Sequence, residues 1–174
     1  NVTAIPAHTR VYIPNHIDTP IFIGHSVEPK TRMHHHLINY CKKEWAAFLN
    51  HDFVCRVADG SLAEVSFHHY LQQDFLFLKH YARAFALTIY KSQSLVDIRS
   101  TLTVLSNVIE NEISSHVAYC KSWGLSEHIL ENTLEDVATV AYTRYVLERG
   151  ISGDLADLHA ALAPCALGYA EIGR

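Results

Sequence analysis

In the segment LAPCALGYAEIG, residues 162–173, a proline directly precedes a cysteine inside a helical apolar pattern. A cysteine does chemistry as its thiolate, which attacks electrophilic carbon. Two readings of Cys165 are open. In the commoner one it is a small buried hydrophobe. In the other it is reactive, and Pro164 is the reason to entertain it. Proline offers no N–H and crowds the carbonyl four residues back, at Ala160, so the sequence predicts a kink or restart of the helix here. A restart would set Cys165 in a first turn, where unpaired N–H groups and the helix dipole favour a thiolate.

A second candidate lies in YLQQDFLFLKHYARAF, residues 70–85. Asp74 follows Tyr70 by four residues and precedes Tyr81 by seven, so it points the same way as the aromatic side chains. A carboxylate on an apolar face must be hydrogen-bonded, paired or used. The structural reading is a buried tie to an Arg or Tyr of another helix; the functional one is a ligand-gripping carboxylate. Tyr142 and Tyr169 also fall on apolar stripes, either as core residues with satisfied hydroxyls or as pocket walls. One carboxylate, one thiol and several aromatic rings together suit a flat heteroaromatic ligand.

Metal chemistry is disfavoured despite thirteen histidines. Glu112 and His116 are spaced i, i+4 and share a face with Ile109. A di-iron bundle, however, uses Glu-x-x-His twice with two further glutamates. His34, His35 and His36 sit at a helix start, and His68 and His69 point different ways. No phosphate-cradling glycine loop or GxSxG elbow is present.

The elements that must position these residues are helical. Leu37, Tyr40, Cys41, Trp45 and Phe48 share one helical face, and Asn50 to Gly60 reads as a helix–loop passage. A long helix starts near Ser61, with Glu64 completing a capping-box pattern, and carries Phe67, Tyr70, Leu71, Phe77, Leu78, Tyr81 and Phe85. A third carries Leu102, Leu105, Ile109, Ile113 and Cys120 and ends at Trp123–Gly124, with Gly124 as its cap. A fourth carries Leu130, Leu134, Ala138, Ala141, Tyr145 and Val146. The last carries Leu155, Leu158, Leu162, Cys165, Tyr169 and Ile172. Strand alternation is absent, so the fold class is all-α.

Composition sets the outer bounds. The chain has 174 residues, is 49% hydrophobic and has 18% charged residues, against about 25% charged in typical domains. The shortfall predicts a surface partly covered by another subunit or by further chain. A net charge of -4 gives no basic track for nucleic acid or an anionic membrane, and no apolar run is long enough to span a bilayer. Four cysteines without a C-x-x-C predict a reducing, cytoplasmic setting. Residues 1–33, which hold four of the five prolines, read as an irregular arm or linker before a helical domain over 34–174.

The segment NHDFVCRVADGSLAEVSFHHYLQQDFLFLKHYARAFAL resembles the opening of the TenA (thiaminase II) family. VATVAYTRYVLERGISGDLADLHAALAPCALGYAEIG resembles that family's middle, Pro-Cys included, and IENEISSH its third-helix stretch. The likeness runs in one order from Ile38 to Gly173 and points to the cysteine-bearing branch. It implies a haem-oxygenase-like helical bundle, usually a homotetramer, with no metal or organic cofactor. It also implies thiamine salvage: hydrolysis of 4-amino-5-aminomethyl-2-methylpyrimidine, or of thiamine, to 4-amino-5-hydroxymethyl-2-methylpyrimidine. Position by position, Cys165 matches the nucleophile that adds to the pyrimidine ring. Asp74 matches the carboxylate that grips the ring nitrogen and amino group. Tyr142 and Tyr169 match pocket tyrosines.

Phe77 stands where many members carry a tyrosine, which keeps a stacking face and drops a hydroxyl. Family members also continue past the EIG motif, to a further tyrosine and a proton-relay glutamate. The sequence therefore reads as a helical domain lacking its C-terminal helices, with Glu110 and Glu112 the first candidates for a substitute relay. The family occurs fused behind a hydroxymethylpyrimidine kinase domain, and a proline-rich arm before Ile38 fits such a fusion. The competing function is an aminopyrimidine-binding or interaction fragment without turnover.

Overall fold

The computed structural model describes residues 35–173; the arm predicted over 1–33, and His34, lie outside them. Among the described residues every regular element is helical. They fall into two compact units, one holding residues up to 63 and from 163 onward, the other Glu64–Leu162.

The larger unit is organised on one helix, α3 (Glu64–Lys91). Its buried residues include Phe67, Leu71, Phe75, Leu78 and Phe85, spaced three, four or seven apart, which is one continuous helical stripe. Against α3 pack α4 (Leu95–Asn107), a π-helical segment (Val108–Ile113), α5 (Ser114–Lys121), α6 (Glu127–Glu131) and α7 (Val137–Ser152). Helix starts follow local chemistry: the Ser94 and Ser126 hydroxyls accept the N–H groups of Val96 and Ile129 at α4 and α6. Gly124, at φ +80°, closes α5 in the left-handed conformation that glycine adopts without a Cβ penalty, as the sequence predicts. Gln73 pins the α6–α7 connection onto α3. Its Nε2 donates to Leu134 O (3.0 Å), and its Oε1 accepts from the Asp136 N–H and the Thr139 hydroxyl (2.9 Å each).

In the smaller unit, a helical stretch over 35–40 turns at Cys41 into α1 (Lys42–Leu49). α2 (Asp52–Asp59) follows, capped by His51 and by Gly60 at φ +76°. The last helix, α8 (Leu155–Ile172), contributes its final turns here. α1 lies close against those turns. A Cβ built on Gly168 would overlap the Phe48 ring, and Trp45 Nε1 donates to Glu171 Oε2 at 3.0 Å.

Several expectations are corrected. Asn50–Gly60 is mostly helix α2. α3 begins at Glu64, and the Ser61 N–H is given to the Asp59 carboxylate at 2.8 Å. The single third helix is three pieces, because the π segment interrupts it. The fourth is two, since the chain leaves helix between α6 and α7 and exposes 87% of Leu134. Tyr40 is 96% exposed and does not join its helix's apolar face.

Pro164 neither ends nor restarts α8, which runs through it to Ile172. Leu158, Ala161 and Leu162 are buried just before it, and burial of that stripe outweighs the missing hydrogen bond and the crowded carbonyl, together worth about 3 kcal/mol. Cys165 therefore sits inside a continuous helix, and the first-turn argument for its thiolate falls away.

Close approach at Gly168 gives a test. Gly168→Ala forces the Phe48 ring to move and lowers stability by about 1–3 kcal/mol. Phe48→Ala in the same background makes room and recovers part of that loss, read as the urea midpoints of the single and double variants.

Candidate functional site

Asp74 stands on α3 and is 13% exposed at its side chain. Its partner is His116, on α5 and 8% exposed, whose Nε2 lies 2.6 Å from Asp74 Oδ2. The tie expected to an Arg or Tyr is made by a histidine. Among the described residues no group donates to the other carboxylate oxygen, Oδ1.

The π segment sets this geometry. In a π turn the backbone bonds run between residues five apart, so side chains at i and i+5 come onto one side. Asn107 and Glu112 are such a pair, and Asn107 Nδ2 donates to Glu112 Oε1 at 3.1 Å. In an α-helix these two positions face apart. One turn on, His116 Nδ1 bonds the Glu112 backbone carbonyl at 3.0 Å, which fixes the plane of the ring.

The electrostatics follow from burial. Burial by itself pushes the His116 ring toward its neutral form, but the hydrogen bond and charge of Asp74, helped by the Glu112 carbonyl and carboxylate, more than reverse this. The net shift is above the ordinary 6.5. Glu112 is also raised, first by burial and then by the Asp74 charge, with His116 and Asn107 opposing. The thiol of Cys120, fully buried one turn beyond His116, is pushed up by burial and by Asp74. Asp74 thus sits among groups that favour holding protons.

Beside it runs an aromatic column. Phe77, one turn after Asp74 on α3, stacks on Tyr142 of α7 (centroids 6.0 Å, planes 16° apart) and on Tyr81 (5.3 Å, 27°). The Tyr142 hydroxyl donates to Ala161 O at 3.0 Å. Asp74, Phe77 and Tyr142 therefore belong to one unit. Cys165 and Tyr169, both half-buried and one turn apart on α8, belong to the other. Spacing alone did not single out His116 as the partner of Asp74. Its signal was the Glu-x-x-x-His pair, weighed only as metal ligation. Among the described residues no three His, Cys, Asp or Glu side chains are grouped to hold a metal ion.

Comparison with known proteins gives one coherent picture. Residues 39–174 match the model of the TENA/THI-4/PQQC family. A Haemophilus influenzae protein is 44% identical over 141 residues, covering 79% of this chain and 64% of its own. An aminopyrimidine aminohydrolase of Halalkalibacterium halodurans is 40% identical over 129 residues, covering 74% and 58%. The chain thus spans less than two thirds of the length of these relatives. The crystal structure of a TenA family transcription regulator from Silicibacter sp. TM1040 superposes with a TM-score of 0.72 at 43% identity. The match covers 74% of this chain and 57% of that one.

The Asp74–His116 pair gives a stability prediction. His116→Leu leaves a buried carboxylate without its partner and costs about 3–5 kcal/mol near pH 6. The folded value of His116 lies above the unfolded 6.5. Its contribution is therefore fully present below pH 6.5 and is lost as pH rises through the folded value. The raised Glu112 carboxyl acts in the same direction. Urea unfolding of wild type and His116→Leu across pH 5.5–9.5 is expected to show a gap that narrows toward alkaline pH.

Proposed function

Because the chain belongs to the TENA/THI-4/PQQC family, we propose that it acts as an aminopyrimidine aminohydrolase of the thiaminase II type. Its substrate is 4-amino-5-aminomethyl-2-methylpyrimidine or thiamine, and its product the 5-hydroxymethyl pyrimidine used in thiamine salvage. The observation that carries this reading is the carboxylate of Asp74. It is held on one oxygen by His116, is left without a donor on the other among the described residues, and lies one turn from the Phe77–Tyr142 stack. A flat ring bearing an exocyclic amino group needs an acceptor at its edge and aromatic faces to lie against. The 40% identity to a protein named aminopyrimidine aminohydrolase supports the same class.

In this mechanism Asp74 accepts the amino N–H at the ring edge, and Phe77, Tyr142 and Tyr169 bind the ring. The Cys165 thiolate adds to a ring carbon, and a ring nitrogen takes up a proton. With the ring's aromaticity interrupted, the bond from the exocyclic methylene to nitrogen breaks, and ammonia leaves from the aminomethyl substrate or the thiazole from thiamine. Water adds at that methylene, the carbon–sulfur bond breaks, and the ring and the thiolate are restored. The steps are addition, elimination and proton transfer, with water as the one co-reactant. The reading also carries a homotetramer and a cytoplasmic setting. Exposed apolar residues such as Val65, Tyr90, Leu134 and Val137 supply surface for self-association, and no described helix is long and apolar enough to cross a membrane.

Cys165→Ser is expected to lower hydrolysis of the aminomethyl pyrimidine by about 10³-fold or more with little change in binding, because the hydroxyl is a poor nucleophile at neutral pH. Asp74→Asn weakens turnover and binding together. Steady-state release of ammonia and calorimetric binding of the hydroxymethyl product measure the two effects. Near-native turnover by Cys165→Ser would exclude covalent catalysis through this sulfur.

A further inference from the structure

A backbone carbonyl only accepts hydrogen bonds. The 3.0 Å contact between His116 Nδ1 and the Glu112 carbonyl therefore places a proton on Nδ1. In a neutral imidazole the other nitrogen, Nε2, is then an acceptor. Yet Nε2 lies 2.6 Å from Asp74 Oδ2, and an ionised carboxylate is acceptor only. Two acceptors do not share that distance, so one more proton lies between them. On Nε2 it makes an imidazolium–carboxylate pair; on Oδ2 it makes a neutral ring beside a carboxylic acid. In both cases the pair is neutral overall and holds one proton that neither ring tautomer alone supplies.

The surroundings keep that proton in place. Among the described residues, Glu112 on the π segment and the Cys120 thiol on α5 are coupled to the pair, and both are shifted toward their protonated forms. Glu112 is itself held by Asn107. The ring cannot turn to meet a ligand, because both of its nitrogens are committed.

We propose that His116 is a positioning residue for Asp74. It engages Oδ2 through one shared proton, with its tautomer fixed by the Glu112 carbonyl, and so presents Oδ1 as the acceptor for the exocyclic amino group of the pyrimidine. The ligand assigned to Oδ1 rests on the aminohydrolase reading above; the shared proton does not. His116 touches neither the reacting carbon nor the thiol in this scheme. It acts through the carboxylate, by holding its plane and by absorbing charge that would otherwise repel Glu112.

The test separates the two layers. First, nitrogen-15 spectra of the imidazole rings of the ligand-free protein, assigned with His116→Gln, report which nitrogens carry protons. The proposal expects Nδ1 protonated and a strongly downfield proton at Nε2, lost in Asp74→Asn. A neutral ring protonated only at Nε2 would overturn it.

Second, calorimetry from pH 6 to 9.5 follows binding of 4-amino-5-hydroxymethyl-2-methylpyrimidine. Wild-type affinity is expected to fall as the shared proton is lost at alkaline pH. His116→Gln keeps an N–H for Oδ2 but cannot titrate, so it should bind within about threefold of wild type at pH 6 and show no such fall. His116→Leu should lose about 10–100-fold, the worth of a hydrogen bond to a charged group. Circular dichroism checks that each variant is helical. A His116→Gln protein that kept the wild-type pH profile would overturn the positioning role. A wild type with the shared proton present but no affinity for this pyrimidine would overturn the ligand assigned to Oδ1 and the aminohydrolase reading with it.

Discussion

A carboxylate placed on the core stripe of a 28-residue helix is the constraint to which the larger unit conforms. Removing an ion from water costs several kcal/mol even after relaxation. Asp74 is tolerated only because His116 meets it at 2.6 Å. His116 reaches it because its own ring is braced by the carbonyl one turn earlier, and that carbonyl is in place because the helix has loosened into a π turn just before α5. Each link is local, but together they explain why a regular helix with the same number of residues would not have served there.

The smaller unit obeys a different constraint, one of contact distance. Phe48 lies so near α8 that a side chain at position 168 would overlap its ring, and the Trp45–Glu171 hydrogen bond fastens the same two helices one turn further along. This seating fits the continuity of α8 through Pro164. A helix buried before a proline, at Leu158, Ala161 and Leu162, and clasped after it can lose one backbone bond and stay helical. Cys165 owes its place to that clasp rather than to a fresh helix start.

These two arrangements also mark how far the sequence alone could be read. The all-α class and the reach of α3 and α8 follow from apolar spacing, because long periodic stripes leave few alternatives. Gly124 is legible for the same kind of reason, being needed at positive φ. Asp74 is legible as a group requiring a partner. The partner is not, because Glu-x-x-x-His has one meaning on an α-helix and another where the turn widens. A π turn is a tertiary compromise with no residue code of its own. The split between α6 and α7 is hidden likewise: Leu134 matches an apolar stripe by type and is 87% exposed. What keeps the chain from continuing as one helix there is Gln73, sixty residues earlier, taking hydrogen bonds that a helix would have used. Pro164 misled in the opposite direction, since a strong local breaker is overruled by the packing around it.

The wide turn before α5 also separates two kinds of genetic change that usually travel together. Ile109, Glu110 and Asn111 look outward from it, so what stands at these positions matters little to the interior. A π turn is an α-helix carrying one residue more than its flanks require. Losing one of the three would let the backbone close to ordinary α pitch with α4 and α5 still in register, so His116 would still face Asp74. Gaining one would rotate everything downstream by about 100° and carry His116 away. In this short stretch the lineage can change its letters and can drop one, but cannot add one.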